Sequence, residues 1–339
     1  MTRLAGMVSI VVPCYNEQQV IHQLYDRLTA AAEAWDQPFE VLLVDDGSHD
    51  DTWEIAQEIH ERDNRWKIIR FARNLGHQTA VSAGLYYATG DCVTVIDADL
   101  QDPPEELHRF IEKWREGYEV VYAIRKNRKE HFVKRLSYKL YYRILGSLAD
   151  IDIPYDSGDF CVMDRRVVNM LNAMPERNRF VRGLRSWVGF RQIGLEYERS
   201  ARAAGTPKYK FRRLLKLAID GILSFSTVPL RMSIYLGFIA SSLALLAVVM
   251  TFLQRMYADW FAQLGFQPVP GHTTTRIAIF FLGGVQLISL GIIGEYLGRV
   301  YEEVKGRPLW IIQDMLGFEE GAGQEQGDFQ VPHCRKPRC

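Results

Sequence analysis

Several absences narrow what this 339-residue chain can be. Its 41 basic and 41 acidic residues cancel, so no global field draws it to nucleic acid, and no nucleic-acid partner is expected. Its five cysteines (Cys14, Cys92, Cys161, Cys334 and Cys339) form no Cys-x-x-Cys pair and have no spacing with histidine that makes a zinc site, which fits a reducing compartment. Neither a Gly-x-Gly-x-x-Gly nor a Walker loop follows the early strand-like runs, which argues against a dinucleotide cofactor and against ATP hydrolysis. The N-terminus lacks the basic-then-apolar run of a signal peptide, because strand character begins by Val8. The first two thirds are therefore expected to stay on the side of the membrane where they are made.

Charge is also missing locally. About one residue in four is charged, yet Met232–Leu253 has none over 22 positions and Ile277–Gly294 none over 18. At 1.5 Å per residue these runs reach about 33 and 27 Å, close to the hydrocarbon thickness of a bilayer. They predict two transmembrane helices, 232–254 and 277–298, joined by a loop at 255–276. Lys208, Lys210, Arg212, Arg213, Lys216 and Arg231 precede the first run; Arg299, Lys305 and Arg307 follow the second; the loop holds only Arg255 and Arg276. Both ends of the hairpin then face the cytoplasm.

In the juxtamembrane segment 206–231, Phe211, Leu214, Leu215, Ala218, Ile222 and Phe225 recur at helical spacing. That pattern suits a helix in the headgroup layer, and also a surface helix packed on its own domain. Glu295 and Arg299, four apart, are expected to pair or snorkel rather than line a proton path. Gly283, Gly284, Gly291, Gly294 and Gly298 permit close helix approach, either between copies of the chain or only between the two spans.

Residues 1–205 alternate between short β-branched apolar runs and helical stretches. The runs are Val8–Pro13, Phe39–Asp45, Trp66–Phe71, Cys92–Asp97 and Glu119–Ile124, with helices beginning near Gln18, Asp51, Gly76 and Glu105. Such alternation predicts an α/β domain with a mostly parallel sheet covered on both faces. A final segment, 299–339, ends in a Gly- and Gln-rich stretch that reads as a flexible tail.

Ligands of parallel sheets collect where strands end, and the carboxylates of this chain do the same. The apolar run Val93–Ile96 leads into Asp97-Ala98-Asp99-Leu100-Gln101-Asp102-Pro103-Pro104-Glu105. Carboxylates on alternate positions converge on one point only if the strand ends there. Two carboxylates plus substrate phosphates form a usual address for Mg²⁺ or Mn²⁺. A chain of this length contains roughly one Asp-x-Asp by chance, and Asp150-Ile151-Asp152, which follows a helical run, reads as that copy. The first strand delivers Pro13-Cys14-Tyr15-Asn16-Glu17, and the second delivers Asp45-Asp46-Gly47-Ser48 followed by Asp50, Asp51 and Thr52. Asp45 and Asp46 suit ribose hydroxyls and the donor groups of a base, whereas Asp50 or Asp51 suits a helix cap.

Taken in order, Pro13-x-Tyr15-Asn16-Glu17, Val44-Asp45-Asp46-Gly47-Ser48, Arg73-Asn74-x-Gly76 and the Asp97–Glu105 segment resemble family 2 glycosyltransferases of the Rossmann-like GT-A fold. More narrowly, the chain resembles polyprenyl-phosphate glycosyltransferases related to dolichol-phosphate mannose synthase. Ser157-Gly158-Asp159-Phe160, Arg179-Phe180-x-Arg182-Gly183 and the C-terminal hairpin are most similar to bacterial bactoprenol glucosyltransferases. The resemblance spans about residues 7–315 and leaves Cys334 and Cys339 unexplained.

The resemblance implies a UDP-sugar donor and a polyprenyl (undecaprenyl) phosphate acceptor at the bacterial inner membrane. Glucose is the favoured sugar, with mannose or a modified aminoarabinose as alternatives. Pro13, Tyr15, Glu17, Asp45 and Asp46 would surround the nucleoside. Asp97, Asp99 and Gln101 would bring Mg²⁺ or Mn²⁺ to the diphosphate, with Asp99 counted also as catalytic. Asp159 matches the acidic residue beside the reacting centre, either orienting the acceptor or balancing a cationic pocket. Arg125 and Arg135 match basic residues expected at phosphates, although they also sit in a charge-rich loop of the kind that is simply solvated. Lys208, in a loop of closing composition, is expected at a phosphate. Self-association through the hairpin, up to a tetramer, is expected too.

Other classes fit less well. A processive polysaccharide synthase would need more spans and a Gln-x-x-Arg-Trp set, where Arg182–Trp187 reads Arg-Gly-Leu-Arg-Ser-Trp. A nucleotidyltransferase would want a Gly-rich loop in place of Pro13–Glu17. A non-enzymatic membrane module would not need Asp45, Asp97, Asp99 and Asp159 intact.

Overall fold

The computed structural model describes residues 6–35, 37–126, 157–177, 179–198, 228–257 and 272–318. Arg135, Lys208, Asp150, Asp152, the amphipathic stretch, Cys334 and Cys339 lie outside the described residues. The chain forms two compact units, one of residues 1–221 with 306–339 and one of residues 222–305.

The first unit opens with β1 (Val8–Cys14), α1 (Ile21–Glu33), β2 (Phe39–Asp45), α2 (Thr52–Arg62), β3 (Trp66–Phe71), α3 (His77–Tyr87) and β4 (Cys92–Val95). A 3₁₀ turn at Pro104–Glu106 leads into α4 (Leu107–Arg115) and β5 (Val120–Lys126). Then follow β6 (Ser157–Asp164), α5 (Arg165–Ala173), α6 (Val181–Trp187) and β7 (Gln192–Glu198), and β8 (Ile312–Leu316) closes the unit. The eight strands make one sheet in the order β7-β5-β6-β4-β1-β2-β3-β8. β1 pairs in parallel with β2 and β4, β2 with β3, and β5 with β7, whereas β6 and β8 run antiparallel to their neighbours. The five strands read from the sequence are present. β6, β7 and β8 are additional, and β8 places part of the 299–339 segment inside this sheet.

Continuous burial explains the central strands. All seven residues of β1 and all seven of β2 are buried, as expected of strands covered on both faces. α1 turns Ile21, Leu24, Leu28 and Ala32 inward at three- and four-residue spacing. Fully burying each such leucine or isoleucine contributes about 1.5–3 kcal/mol. α3 lies so close to β1 that a Cβ on Gly84 would stand 2.2 Å from Val11 Cγ1. That contact fixes the helix whose first residue, His77, reaches the strand ends. Cys14, Cys92 and Cys161 are buried and form no disulfide.

At the opposite ends of the strands, the Glu40 carboxylate gathers Ser9 Oγ (2.5 Å), Thr89 N (2.7 Å) and Lys67 Nζ (2.8 Å). Burial alone would raise its pKa, but these partners hold it below the usual glutamate value. The cluster pins the turn before β4.

Among the described residues the second unit holds α7 (Val228–Met256) and α8 (His272–Val304), which pack against each other. Large apolar side chains such as Phe238 (70% exposed) and Leu287 (72%) point away from protein. Among the described residues, one helix is long and apolar enough to cross a membrane, Phe281–Val304, with mean hydropathy 1.4; α7 contributes a shorter apolar run, Met232–Leu246. Glu295 and Arg299 are 3.8 Å apart along α8.

Candidate active site

Two loops leave β1 and β2 side by side and are tied to each other. Asn16 N donates to Ser48 Oγ (2.9 Å), His49 N to Asn16 Oδ1 (2.9 Å) and Glu17 N to Thr52 Oγ1 (2.9 Å). Gly47 adopts φ +68, and a Cβ there would meet the backbone of Arg73 at 2.6 Å, so only glycine fits. Asp50, rather than Asp51, caps α2: its Oδ1 accepts from Thr52 N (3.2 Å) and Thr52 Oγ1 (2.6 Å). Tyr15 meets His49 edge-on with ring centroids 6.3 Å apart.

The end of β2 delivers two carboxylates with different surroundings. Asp46 Oδ1 accepts from Leu75 N (2.6 Å) and its Oδ2 from Gly76 N (2.9 Å). Asp46 thereby holds the turn that starts α3. Burial pushes its pKa up, and those two amides oppose the rise. Asp45 is fully buried. Its Oδ1 accepts from Ser48 N (3.0 Å) and from the Ser48 hydroxyl. Its Oδ2 has no hydrogen-bond partner and lies 3.8 Å from Arg70 Nε, which also has none. Burial raises the Asp45 pKa against the pull of Ser48 and Arg70. Arg70 stacks over Trp53 with its Cζ 4.9 Å from the ring centroid. A buried acceptor and a buried donor thus stand side by side, each without a hydrogen-bond partner.

β4 stops at Val95, two residues before Asp97, and Ile96 N still donates to Val11 O (3.0 Å). The next turn is tight. Leu100 is buried with φ 55, a conformation that costs a non-glycine residue about 1–3 kcal/mol and clusters at functional loops. Gln101 N closes the turn on Asp99 Oδ1 (3.1 Å). Asp102 is buried and accepts from the Tyr197 hydroxyl, which ties the loop to β7. Among the described residues, no group of three or more His, Cys, Asp or Glu side chains is arranged to hold a metal ion.

Beside this loop lies a charged cluster. Arg182, from α6, donates through Nη2 to Asp159 Oδ2 (3.0 Å) and through Nε to Asp159 Oδ1 (3.3 Å). Gln78 Nε2 donates to the same carboxylate (3.3 Å), and Gln78 Oε1 accepts from Val181 N (2.9 Å). His77 Nε2 stands 3.4 Å from Asp159 Oδ2 and 3.7 Å from Asp97 Oδ1. Burial works against charge on the His77 imidazole, but the bond to Asp159 and the Asp97 carboxylate outweigh it and hold its pKa at about 9. Burial also raises Asp159, yet Arg182 and His77 bring its pKa well below the ordinary aspartate value. Asp97 is pushed up to about 6, chiefly by burial and against the pull of His77, with Asp102, Asp159 and Asp99 adding to the rise. Behind the cluster Arg185 is buried, reaching Gly158 O (3.5 Å) and standing over the Tyr122 ring.

The structure thus brings Asp97, Asp99, Gln101 and Asp159 to one end of the sheet, with Asp45, Tyr15 and Glu17 at the neighbouring strand ends. Pro13 is buried within β1. Arg125 lies on β5 opposite Tyr197, and its side chain is outside what the structure describes. The sequence reading assigned no role to His77, Gln78, Arg182 or Arg70. The first two follow directly on the Arg73-Asn74-x-Gly76 motif, and Arg182 belongs to a motif noted without a function.

The comparisons follow the same division of the chain. The Glycosyl transferase family 2 profile matches residues 9–171, and the GtrB C-terminal hairpin profile matches residues 228–300. An uncharacterized glycosyltransferase of Bacillus subtilis is 46% identical over 92% of this chain and 94% of its own length. Another, from Synechocystis, is 45% identical over 92% and 96%. A prophage-derived bactoprenol glucosyl transferase of Shigella flexneri is 39% identical over 90% and 97%. With relatives this similar along nearly the whole chain, and with carboxylates gathered at the strand ends, the protein belongs to glycosyltransferase family 2.

Proposed function

We propose that this glycosyltransferase moves glucose from UDP-glucose to a polyprenyl phosphate, undecaprenyl phosphate in a bacterial cell, with inversion at the anomeric carbon. The product is a lipid-linked sugar for cell-envelope glycosylation. One observation carries the reading: a donor–acceptor pair, Asp45 with Arg70 on β2 and β3, and an anionic loop, Asp97 to Gln101 beyond β4, stand on either side of β1 in one sheet, with Asp159 and its cations beside the loop. Relatives named bactoprenol glucosyl transferases, matching over nine tenths of the chain, support the acceptor and the sugar.

The unpaired Asp45 Oδ2 suits the imide N–H of uracil and the neighbouring Arg70 Nε suits a uracil carbonyl, so both buried groups gain a partner when the nucleotide binds. Tyr15 and Glu17 are assigned to the nucleoside from the loop that leaves β1, Pro13 shapes that loop from its buried place in the strand, and Asp46 acts by holding the turn that starts α3. Asp97 Oδ1 is buried without a hydrogen-bond partner, 3.7 Å from His77 Nε2, a carboxylate oxygen suited to a cation. Asp97, Asp99 and Gln101 would hold Mg²⁺ or Mn²⁺, which would supply charge neutralisation at the departing diphosphate.

A lipid phosphate monoester has a second pKa of about 6 and is largely a dianion at neutral pH, so it needs no strong base. Its oxygen forms the new bond to the anomeric carbon while the bond to the UDP oxygen breaks. Asp159, kept ionised by Arg182 and His77, serves to orient rather than to remove a proton. Arg125, Arg135 and Lys208 are assigned to phosphate binding. The apolar hairpin would hold the enzyme in the inner membrane as a multi-pass protein with its catalytic unit cytoplasmic, and self-association through the same helices is part of the proposal.

The test is a donor screen on the purified full chain with Mg²⁺ and undecaprenyl phosphate, read by mass spectrometry. A lipid-linked hexose formed from UDP-glucose is the expected result. Product from a mannose or aminoarabinose donor alone would move the sugar assignment, a growing polysaccharide would favour a processive synthase, and no lipid-linked sugar with any donor would overturn the reading.

A further inference from the structure

The strand that follows the second helix bears on the nucleotide pocket. β8 pairs with β3, and in that pairing Asp314 lies directly opposite Arg70, while Arg70 lies opposite Asp45 on β2. Three strands therefore carry an acid–base–acid row, Asp45, Arg70 and Asp314, at the ligand-bearing end of the sheet. The distances follow the row: Arg70 Nε to Asp45 Oδ2 is 3.8 Å, and Arg70 Nη1 to Asp314 Oδ2 is 4.0 Å.

Two further features concern the same spot. The β3–β8 register shifts between Arg70 and Phe71, so that Phe71 pairs with Ile312. Irregularities of this kind bend a strand and re-aim a side chain next to active sites. β8 is also anchored firmly for an edge strand. Trp310 is 6% exposed and packs on Tyr86 at 5.7 Å, Phe318 packs on Tyr87 at 5.7 Å, and Ala72 N donates to Ile311 O (2.9 Å).

We infer that β8 is a working part of the donor site and that Asp314 is a positioning residue for Arg70. Resting on the proposed reading of the pocket, this adds that the nucleoside diphosphate binds at full strength only when the strand beyond the hairpin is docked. Asp314 draws the guanidinium from the β8 side, Trp53 supports its face, and the bulge sets its aim, leaving Nε 3.8 Å from Asp45 Oδ2. Asp314 is 44% exposed in its side chain, so its leverage is that of a partly screened ion pair, about two- to fivefold in affinity.

The experiment uses the detergent-solubilised full chain with Mg²⁺. Asp314→Asn is expected to raise KM for the UDP-sugar about two- to fivefold with kcat and KM for the lipid phosphate unchanged, and Asp314→Glu to restore it. Because coupling is reciprocal, UDP is expected to slow amide exchange over residues 312–316 in the wild-type chain. An unchanged donor KM in Asp314→Asn, an equal rise in both KM values, or exchange at 312–316 indifferent to saturating UDP would each overturn the inference. Asp45→Asn separates the two layers: UDP binding that survives this change counts against the pocket itself, whereas its loss alongside a silent Asp314→Asn counts against β8 alone.

Discussion

Arg182 grips Asp159 with two nitrogens, at 3.0 and 3.3 Å, from a helix that begins only 22 residues after that carboxylate in the chain. Arg182 thereby sets both the direction and the charge of the carboxylate nearest the anionic loop. Arg182→Ala removes charge-assisted hydrogen bonds contributing about 1.5–3 kcal/mol, so kcat is expected to fall about 10- to 150-fold. Steady-state turnover of the lipid acceptor at saturating donor checks this. A variant within twofold of wild type would refute it.

Because Arg182 and His77 hold Asp159 well below the ordinary aspartate value, its carboxylate stays ionised throughout the neutral range and down into mild acid. Asp159→Asn is therefore expected to lower kcat while leaving the midpoint of the acid limb, at about pH 6, where the lipid phosphate passes from dianion to monoanion. The measurement is kcat/KM against pH for both enzymes. Disappearance of the limb in Asp159→Asn would assign the limb, and proton removal, to Asp159.

Asp99→Asn is expected to weaken Mg²⁺-dependent UDP binding at least tenfold, because one of the two carboxylates assigned to the ion is lost. Calorimetric titration of UDP with and without the ion gives the answer. Equal affinity in the two enzymes, insensitive to chelator, would remove the metal from the Asp97–Gln101 loop.

Away from the chemistry, Glu40 offers a stability test. Its folded pKa is lowered, so its contribution is fully present above the unfolded value near 4.5 and is lost as pH falls through the folded one. Glu40→Gln is expected to destabilise the sheet unit by about 2 kcal/mol at pH 7 and by less below about pH 4. Thermal unfolding across that range shows whether the gap between the two proteins closes.

The parallel half of the sheet was legible because β1 and β2 are buried on both faces and so read as unbroken apolar runs. Asp45, Asp97 and Asp99 were legible because each lies at or just beyond the end of such a run. β6 and β7 were harder to see. Ser157–Asp164 mixes Asp159 into an apolar strand, and in Gln192–Glu198 only Tyr197 is buried, so neither carries a clean periodicity. β8 is a five-residue edge strand with an acid, Asp314, at its centre, and its pairing with β3 is a contact across more than 240 residues that no local pattern encodes. His77 and Arg182 were missed for a related reason. Each matters through a carboxylate on another element, 20 or more residues away, and a lone histidine after a glycine, or one of two arginines on a short helix, gives no sign of which anion it will meet.

The late position of β8 in the chain also sets an order of events during synthesis. Ribosomes deliver β1 to β7 first, yet the outer edge of β3 is left without its partner until some 110 further residues, including both long helices, have been made. A nascent chain stalled before residue 312 would hold a nearly complete sheet with one raw hydrogen-bonding margin. Completion of this sheet is thus timed by a strand made after both long helices, and β8 seals that margin.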